Sequence, residues 1–205
     1  MADAARYPIL AAPVREEIEI DRSRFIGSLA NVESVEAARA FIDEVSAEYA
    51  DATHNCWAYV VGPPGSTANI GMSDDGEPHN TAGRPMLNVL LHADVGDVVA
   101  VVTRYFGGTK LGRGGLVRAY GGAVQAALDA AARTERVAWS QHVLTFDYAA
   151  KQALEKHYPT FEVVVDEEIF GAQIQHRVRL PEPKVEAFLA AANDATRGQV
   201  VVEDA

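Results

Sequence analysis

GDVVAVVTRYFGGTKLGRGGLVRAYGG, residues 96 to 122, is the stretch whose reading decides the fold. Val98-Val99-Ala100-Val101-Val102 is an unbroken apolar run, the pattern of a strand buried on both faces. It gives way to Gly107, Gly108, Gly112, Gly114 and Gly115, so the chain must turn sharply before it can build a helix. Arg104, Lys110, Arg113 and Arg118 are interleaved with those glycines, and no acidic residue lies between Asp97 and Asp129. A backbone without Cβ reaches φ > 0 and tolerates close approach, and successive N–H groups in such a loop attract anions. A helix beginning near Leu116 adds its positive N-terminal end to the same corner. Spacing alone leaves two readings open. One is an anion or polyanion site built from Arg104, Gly107, Gly108, Lys110, Gly112, Arg113, Gly114 and Arg118; the other is a tight strand-to-helix turn with solvated cations. The segment is not a Walker A loop, because Leu111 follows the lysine, and no G-x-G-x-x-G opens a helix here. No cofactor is expected.

The surrounding chain makes this interval unusual. It has 205 residues, 18 basic and 29 acidic, for a net charge of -11, so a basic interval is a local inversion of the whole. A protein this acidic does not coat polyanions indiscriminately, and any nucleic-acid contact must be confined to a patch such as Arg104 to Arg118. With 48% hydrophobic residues, the length suits one large or two small domains. No apolar run approaches the ~18 residues of a membrane helix, and the N-terminus has no signal-peptide layout, so a cytoplasmic protein without membrane contact is expected. Cys56 is the only cysteine, which excludes an intrachain disulfide and a multi-cysteine zinc site.

Upstream, Val14–Ile20 and Phe25–Ala30 read as a β-hairpin. Ser34 or Asn31 can cap a helix carrying Val35, Ala38, Phe41, Ile42, Val45 and Tyr49 at three- and four-residue spacing. Asn55–Val61 and Thr67–Met72 read as strands on either side of a Gly-Pro-Pro-Gly turn, with His54 and Cys56 sharing a face. Ser73–Asn80 carries three carboxylates and an imidazole. Asp75, Glu77 and His79 are therefore second-rank site candidates for metal or acid–base work, joined by Arg84, although Asp-Gly and Glu-Pro equally suit a plain turn. No metal is expected there, because the three lack the ligand count of a closed site. A helix follows over 85–91.

Downstream, 116–132 reads as a long helix interrupted by Gly121-Gly122, which close packing against a strand or the glycine loop should offset. Arg133 to Arg136 reads as a linker. Strands over 142–146, 162–169, 174–180 and 199–202 alternate with helices over 150–158 and 184–195 in the order βαββαβ, a ferredoxin-like arrangement. His142, His157 and His176 show no ligand spacing and are read as surface residues.

Three ordered blocks carry a family resemblance: DATHNCWAYVVG (51–62), SDDGEPHNTAGRPML (73–87) and VVTRYFGGTKLGRGGLVRAYGGA (101–123). Together they resemble the IMPACT (YigZ-like, UPF0029) family across about Arg24 to Arg133. The resemblance implies an α+β protein of two domains. The first, over 1–136, would be similar to the second domain of ribosomal protein S5; the second, over 140–205, would be ferredoxin-like. That succession also resembles the tail half of elongation factor G. Family members bind nucleic acid or translation machinery, and no well-established reaction comes with the name. The first expectation is a non-enzymatic protein of translation regulation that contacts RNA, the ribosome or a ribosome-associated partner through the basic loop, with Tyr105 or Phe106 offering a stacking face. The alternatives are a metal-assisted hydrolase acting on an anionic substrate and a protein-interaction module in translational control.

Overall fold

The computed structural model describes residues 5–204, and the α+β chain separates into two compact units, one ending at Arg136 and the next beginning at Val137. In the first unit, β6 (Val98–Tyr105) is the central strand of a five-stranded antiparallel sheet. Its neighbours are β3 (Ser23–Asn31) and β4 (His54–Val61), with β2 (Val14–Ile20) and β5 (Asn69–Ser73) at the edges. Val98 to Val102 are all at 0% exposure because the strand is sandwiched. Val98, Ala100 and Val102 enter the core formed with α2 (Gly83–His92) and α3 (Gly112–Ala130). Val99 and Val101 enter a second core with α1 (Val35–Glu48) on the opposite face. The continuous apolar run is therefore a period-two strand with two apolar faces.

Local chemistry sets the helix starts. Ser34 caps α1 by accepting from the Ala37 N–H at 3.1 Å. No side chain of its own cap residue closes α2; the Asp74 carboxylate instead accepts from the N–H groups of Ala82 and Gly83 at 3.0 and 2.9 Å. Helix α3 starts at Gly112, four residues before the expected Leu116. Gly121 and Gly122 meet only ordinary contacts from Val89 and Ile18. The tight approach is at Gly27, where a Cβ would lie 2.8 Å from the Ala123 carbonyl oxygen of α3. The supposed linker at Arg133 to Arg136 belongs to a strand, β7 (Arg133–Val137), paired with β1 (Arg6–Leu10), which sequence reasoning missed. Arg136 donates to buried Asp97 at 2.6 Å, and Tyr7 donates to the same carboxylate, so the segment is held on the unit.

The second unit runs β8 (Trp139–Phe146), a 3₁₀ turn, short helices α4 (Lys151–Glu155) and α5 (Tyr158–Phe161), β9 (Val164–Phe170), β10 (Ile174–Pro181), α6 (Val185–Ala195) and β11 (Val201–Asp204). Its antiparallel sheet has the order β11-β8-β10-β9. The expected single helix over 150–158 is broken, and Pro159, which has no N–H, lies at the start of α5. The reading of the histidines as surface residues is overturned for two of them. His176 is 1% exposed, between the Tyr158 hydroxyl and the Glu168 carboxylate at 2.8 Å each, and His142 is 5% exposed beside Ser140. Both lie on the inward period of their strands, where a polar ring needs partners. No described helix is long and apolar enough to cross a membrane.

Candidate anion-binding cleft

Strands β4 and β6 place His54 directly opposite Arg104. Beyond them the acid-rich turn, the glycine loop and the start of α3 enclose a cleft of about 390 Å³. Thr53, His54, Glu77 and Pro78 line it together with Arg104, Phe106, Lys110 to Arg113 and Leu116. Of the expected basic residues, Lys110 and Arg113 line it and are exposed. Arg118 and Arg84 are exposed on α3 and α2 but lie outside the cleft.

Arg104 is not a surface cation. Its side chain is 7% exposed, its Nη1 donates to Glu77 Oε1 at 2.5 Å, and its guanidinium carbon lies 5.4 Å from the ring centre of Phe25 and 5.5 Å from that of Phe106. Glu77, 3% exposed, accepts a second bond on the same oxygen from the Tyr120 hydroxyl at 2.8 Å. Burial, and then Cys56 and Glu77 beside it, push the Tyr120 phenol far above its ordinary range, so it stays a neutral donor. Arg104, Glu77 and Tyr120 thus form an internally paired floor. Period-two alternation puts Tyr105 on the other side from Arg104, where it is half-buried and donates to Asp51; Phe106, at 47% exposure, is the ring left open.

The remaining acid-turn residues go to separate partners. The Asp75 carboxylate accepts from the Asn55 N–H at 2.6 Å, and the Asp75 carbonyl holds His54 Nδ1 at 2.6 Å. With that nitrogen engaged, His54 Nε2 faces Glu77 Oε1 at 3.9 Å. The His79 side chain is 86% exposed, while its carbonyl accepts from Arg113 at 2.8 Å. Asp74, unnamed as a candidate from sequence, organises the turn. Burial acts to raise its pKa, but N–H donors from Asn80, Ala82 and Gly83 outweigh that and hold the carboxyl below its ordinary value. Cys56 is buried, burial pushes its thiol up, and Sγ donates to the Asp74 carbonyl, so it is a packing residue.

Two glycines of the loop have specific demands on them. A Cβ at Gly107 would overlap the backbone of Arg22, so the loop is pinned there against the β2–β3 turn; Gly112 takes φ +70 where α3 begins. Gly108 also has positive φ, at +88, while Gly114 has open space around it. Sequence reasoning did not single out Thr53, Pro78, Leu111 or Leu116 as cleft residues, and it noted His54 only for sharing a face with Cys56. The strand pairing that brings β4 against β6 supplies what was missing. Among the described residues, the group whose ligand atoms lie mutually within 4.8 Å is Glu155, Glu168 and His176, in the second unit. Lys151 already bonds Glu168 there, and both His176 nitrogens have partners.

The family profile described as Impact N-terminal domain matches residues 21–128, and the one described as a domain of unknown function (DUF1949) matches 144–199. The chain is similar to the IMPACT family member YigZ of Escherichia coli K12, 42% identical over 94% of each chain. It is also similar to the IMPACT family member YvyE of Bacillus subtilis, 36% identical over 92% of this chain and 86% of that one. The Protein IMPACT homolog of Saccharomyces cerevisiae is 35% identical over 44% of this chain and 35% of its own. A solved structure titled a crystal structure of an hypothetical protein superposes with a TM-score of 0.68 at 40% identity, covering 98% of both chains.

Proposed function

The chain belongs to the IMPACT family, and from that premise we propose a non-enzymatic, cytoplasmic binding protein of translation regulation whose glycine-rich cleft holds single-stranded RNA. The observation that carries this reading is the rim of the cleft. Exposed Lys110 and Arg113 stand beside exposed Phe106, over a floor whose charges are already paired. Backbone phosphates pair with the two cations, and a base stacks on the open face of Phe106, whose other face lies on Arg104. The net charge of -11 confines polyanion contact to this patch and suppresses indiscriminate binding. We further read the first unit as similar to the second domain of S5 and the second as ferredoxin-like. The βαββαβ succession with the order β11-β8-β10-β9 supports the latter.

The hydrolase reading has less support, because Asp75, Glu77 and His79 are committed to Asn55, to Arg104 with Tyr120, and to solvent. Binding of a labelled ten-nucleotide RNA, followed by anisotropy across a salt series, tests the proposal. Lys110→Ala with Arg113→Ala should weaken binding irrespective of base sequence and reduce the salt slope by about 1.4, at about 0.7 per phosphate contact on a single strand. A double variant with the parent's affinity and slope overturns the assignment.

A further inference from the structure

We propose that the inner end of this cleft is a site for a terminal phosphate monoester, so that the ligand enters by a phosphorylated end: a nucleoside monophosphate, or a strand that finishes in one. The proposal rests on the reading of the cleft as an RNA site and names the part of the RNA it takes.

Two independent features converge there. Helix α3 is 19 residues long, and its first turn has no side-chain cap and no acidic residue. Its first N–H groups and the positive end of its dipole therefore remain available to an anion at Gly112 and Arg113, which line the cleft. The second feature is Arg104. Its side chain is more than nine-tenths buried and forms part of the cleft wall, yet its Nε has no hydrogen-bond partner among the described residues. Buried charged donors are rarely left unpaired, and each such orphan calls for an explanation. An anion seated between Arg104 and the start of α3 supplies one.

Charge and size select the kind of anion. Glu77 already accepts from Arg104 and Tyr120, so Lys110 and Arg113 have no carboxylate partner in the cleft. A phosphate monoester carries about -1.5 to -2 charge and three acceptor oxygens. That matches three groups of donors: the α3 N–H groups, Arg104 Nε and Lys110. An internal diester brings a single charge and two bridging oxygens, which leaves fewer charged acceptors for these donors than a monoester offers. Pro78, Phe106, Leu111 and Leu116 make the walls largely apolar, and about 390 Å³ is of the order of a single nucleotide and too small for a duplex.

The test compares three hexaribonucleotides of one sequence, bearing a 5′-phosphate, a 3′-phosphate or hydroxyls at both ends. A nucleoside monophosphate and inorganic phosphate serve as competitors. At least one phosphate-terminated strand should bind about tenfold or more tightly than the hydroxyl-terminated strand, since one well-made charged contact is worth a factor of that order. Gly114→Asp places a carboxylate in the first turn of α3, where it suits the helix dipole and its Cβ meets no neighbouring atom, so the thermal transition should hold or rise. That variant should lose the preference for the phosphorylated end. Displacement by the nucleoside monophosphate supports the site with a free nucleotide as occupant; displacement by the phosphorylated strand alone supports it with a strand end. Equal binding of all three strands overturns the monoester site and leaves the RNA reading standing. Failure of all three to bind overturns both. A preference that survives in Gly114→Asp removes the start of α3 from the site.

Discussion

Replacing Glu77 with Gln strips the counter-charge from a cation that has almost no access to water. The two side chains are 3% and 7% exposed, and their contact is 2.5 Å. Glu77 Oε1 also accepts from Tyr120, so the substitution weakens a second bond to a phenol that burial keeps protonated. Removing one partner of a buried pair costs about 3–5 kcal/mol, mostly because the other charge is left uncompensated. At about 2–4 °C per kcal/mol for a chain of this length, the thermal transition of the first unit should fall by roughly 6–20 °C. Calorimetry resolves this. The double variant Glu77→Gln with Arg104→Met removes both charges and should recover more than half of the loss, because it leaves no orphaned ion. A Glu77→Gln variant that loses less than about 1 kcal/mol would behave like a surface substitution and would refute the paired floor on which the binding account depends.

Asp74→Asn keeps one oxygen for the Ala82 and Gly83 N–H groups but loses the charge and puts an NH2 opposite the Asn80 N–H, which should cost roughly 1–2 kcal/mol. Because the folded carboxyl is held below its ordinary value, this stabilisation is complete above that ordinary value and fades as pH falls through the folded one. Urea unfolding of parent and variant at descending pH should therefore converge, and a gap that stays constant into strong acid contradicts the cap. Gly107→Ala should destabilise by about 1–3 kcal/mol, since its Cβ meets the Arg22 backbone, while Gly114→Ala, in open space within α3, should stabilise by up to about 1 kcal/mol. Parallel denaturation curves decide this, and equal shifts would contradict the loop geometry. Magnesium, manganese or zinc should move the melting temperature by less than about 1 °C, because Asp75 and Glu77 are engaged elsewhere and His79 faces solvent; a shift of several degrees that disappears in His79→Ala would favour metal chemistry instead.

What could be read from the sequence divides along physical lines. The central strand, the hairpin, α1 with its Ser34 cap and the βαββαβ order were legible because each depends on local periodicity. Strand β7 was not, because Arg133-Thr134-Glu135-Arg136 is charged and becomes a strand only by pairing with residues more than a hundred positions earlier. The start of α3 was placed late because glycine has low helix propensity, whereas the structure winds Gly112, Gly114 and Gly115 into the first turn. His176 could have been recognised: Ile174, Val178 and Leu180 share its strand phase, and all are buried. For the site, sequence located the glycine loop but treated Arg104 and Glu77 as separate candidates. Only the pairing of β4 with β6, and the packing of α3 over the turn, shows that the two neutralise each other and leave Lys110, Arg113 and Phe106 at the rim.

The central claim is that RNA lies on that rim. Its most direct measurement is photocrosslinking with a single strand carrying 4-thiouridine, followed by mass spectrometry of the adducted peptides. The account predicts adducts on the segment from Tyr105 to Lys110, lost in Phe106→Ala and reduced in the Lys110→Ala, Arg113→Ala variant. Adducts confined to the second unit, at exposed aromatic residues such as Trp139 or Phe170, would contradict it.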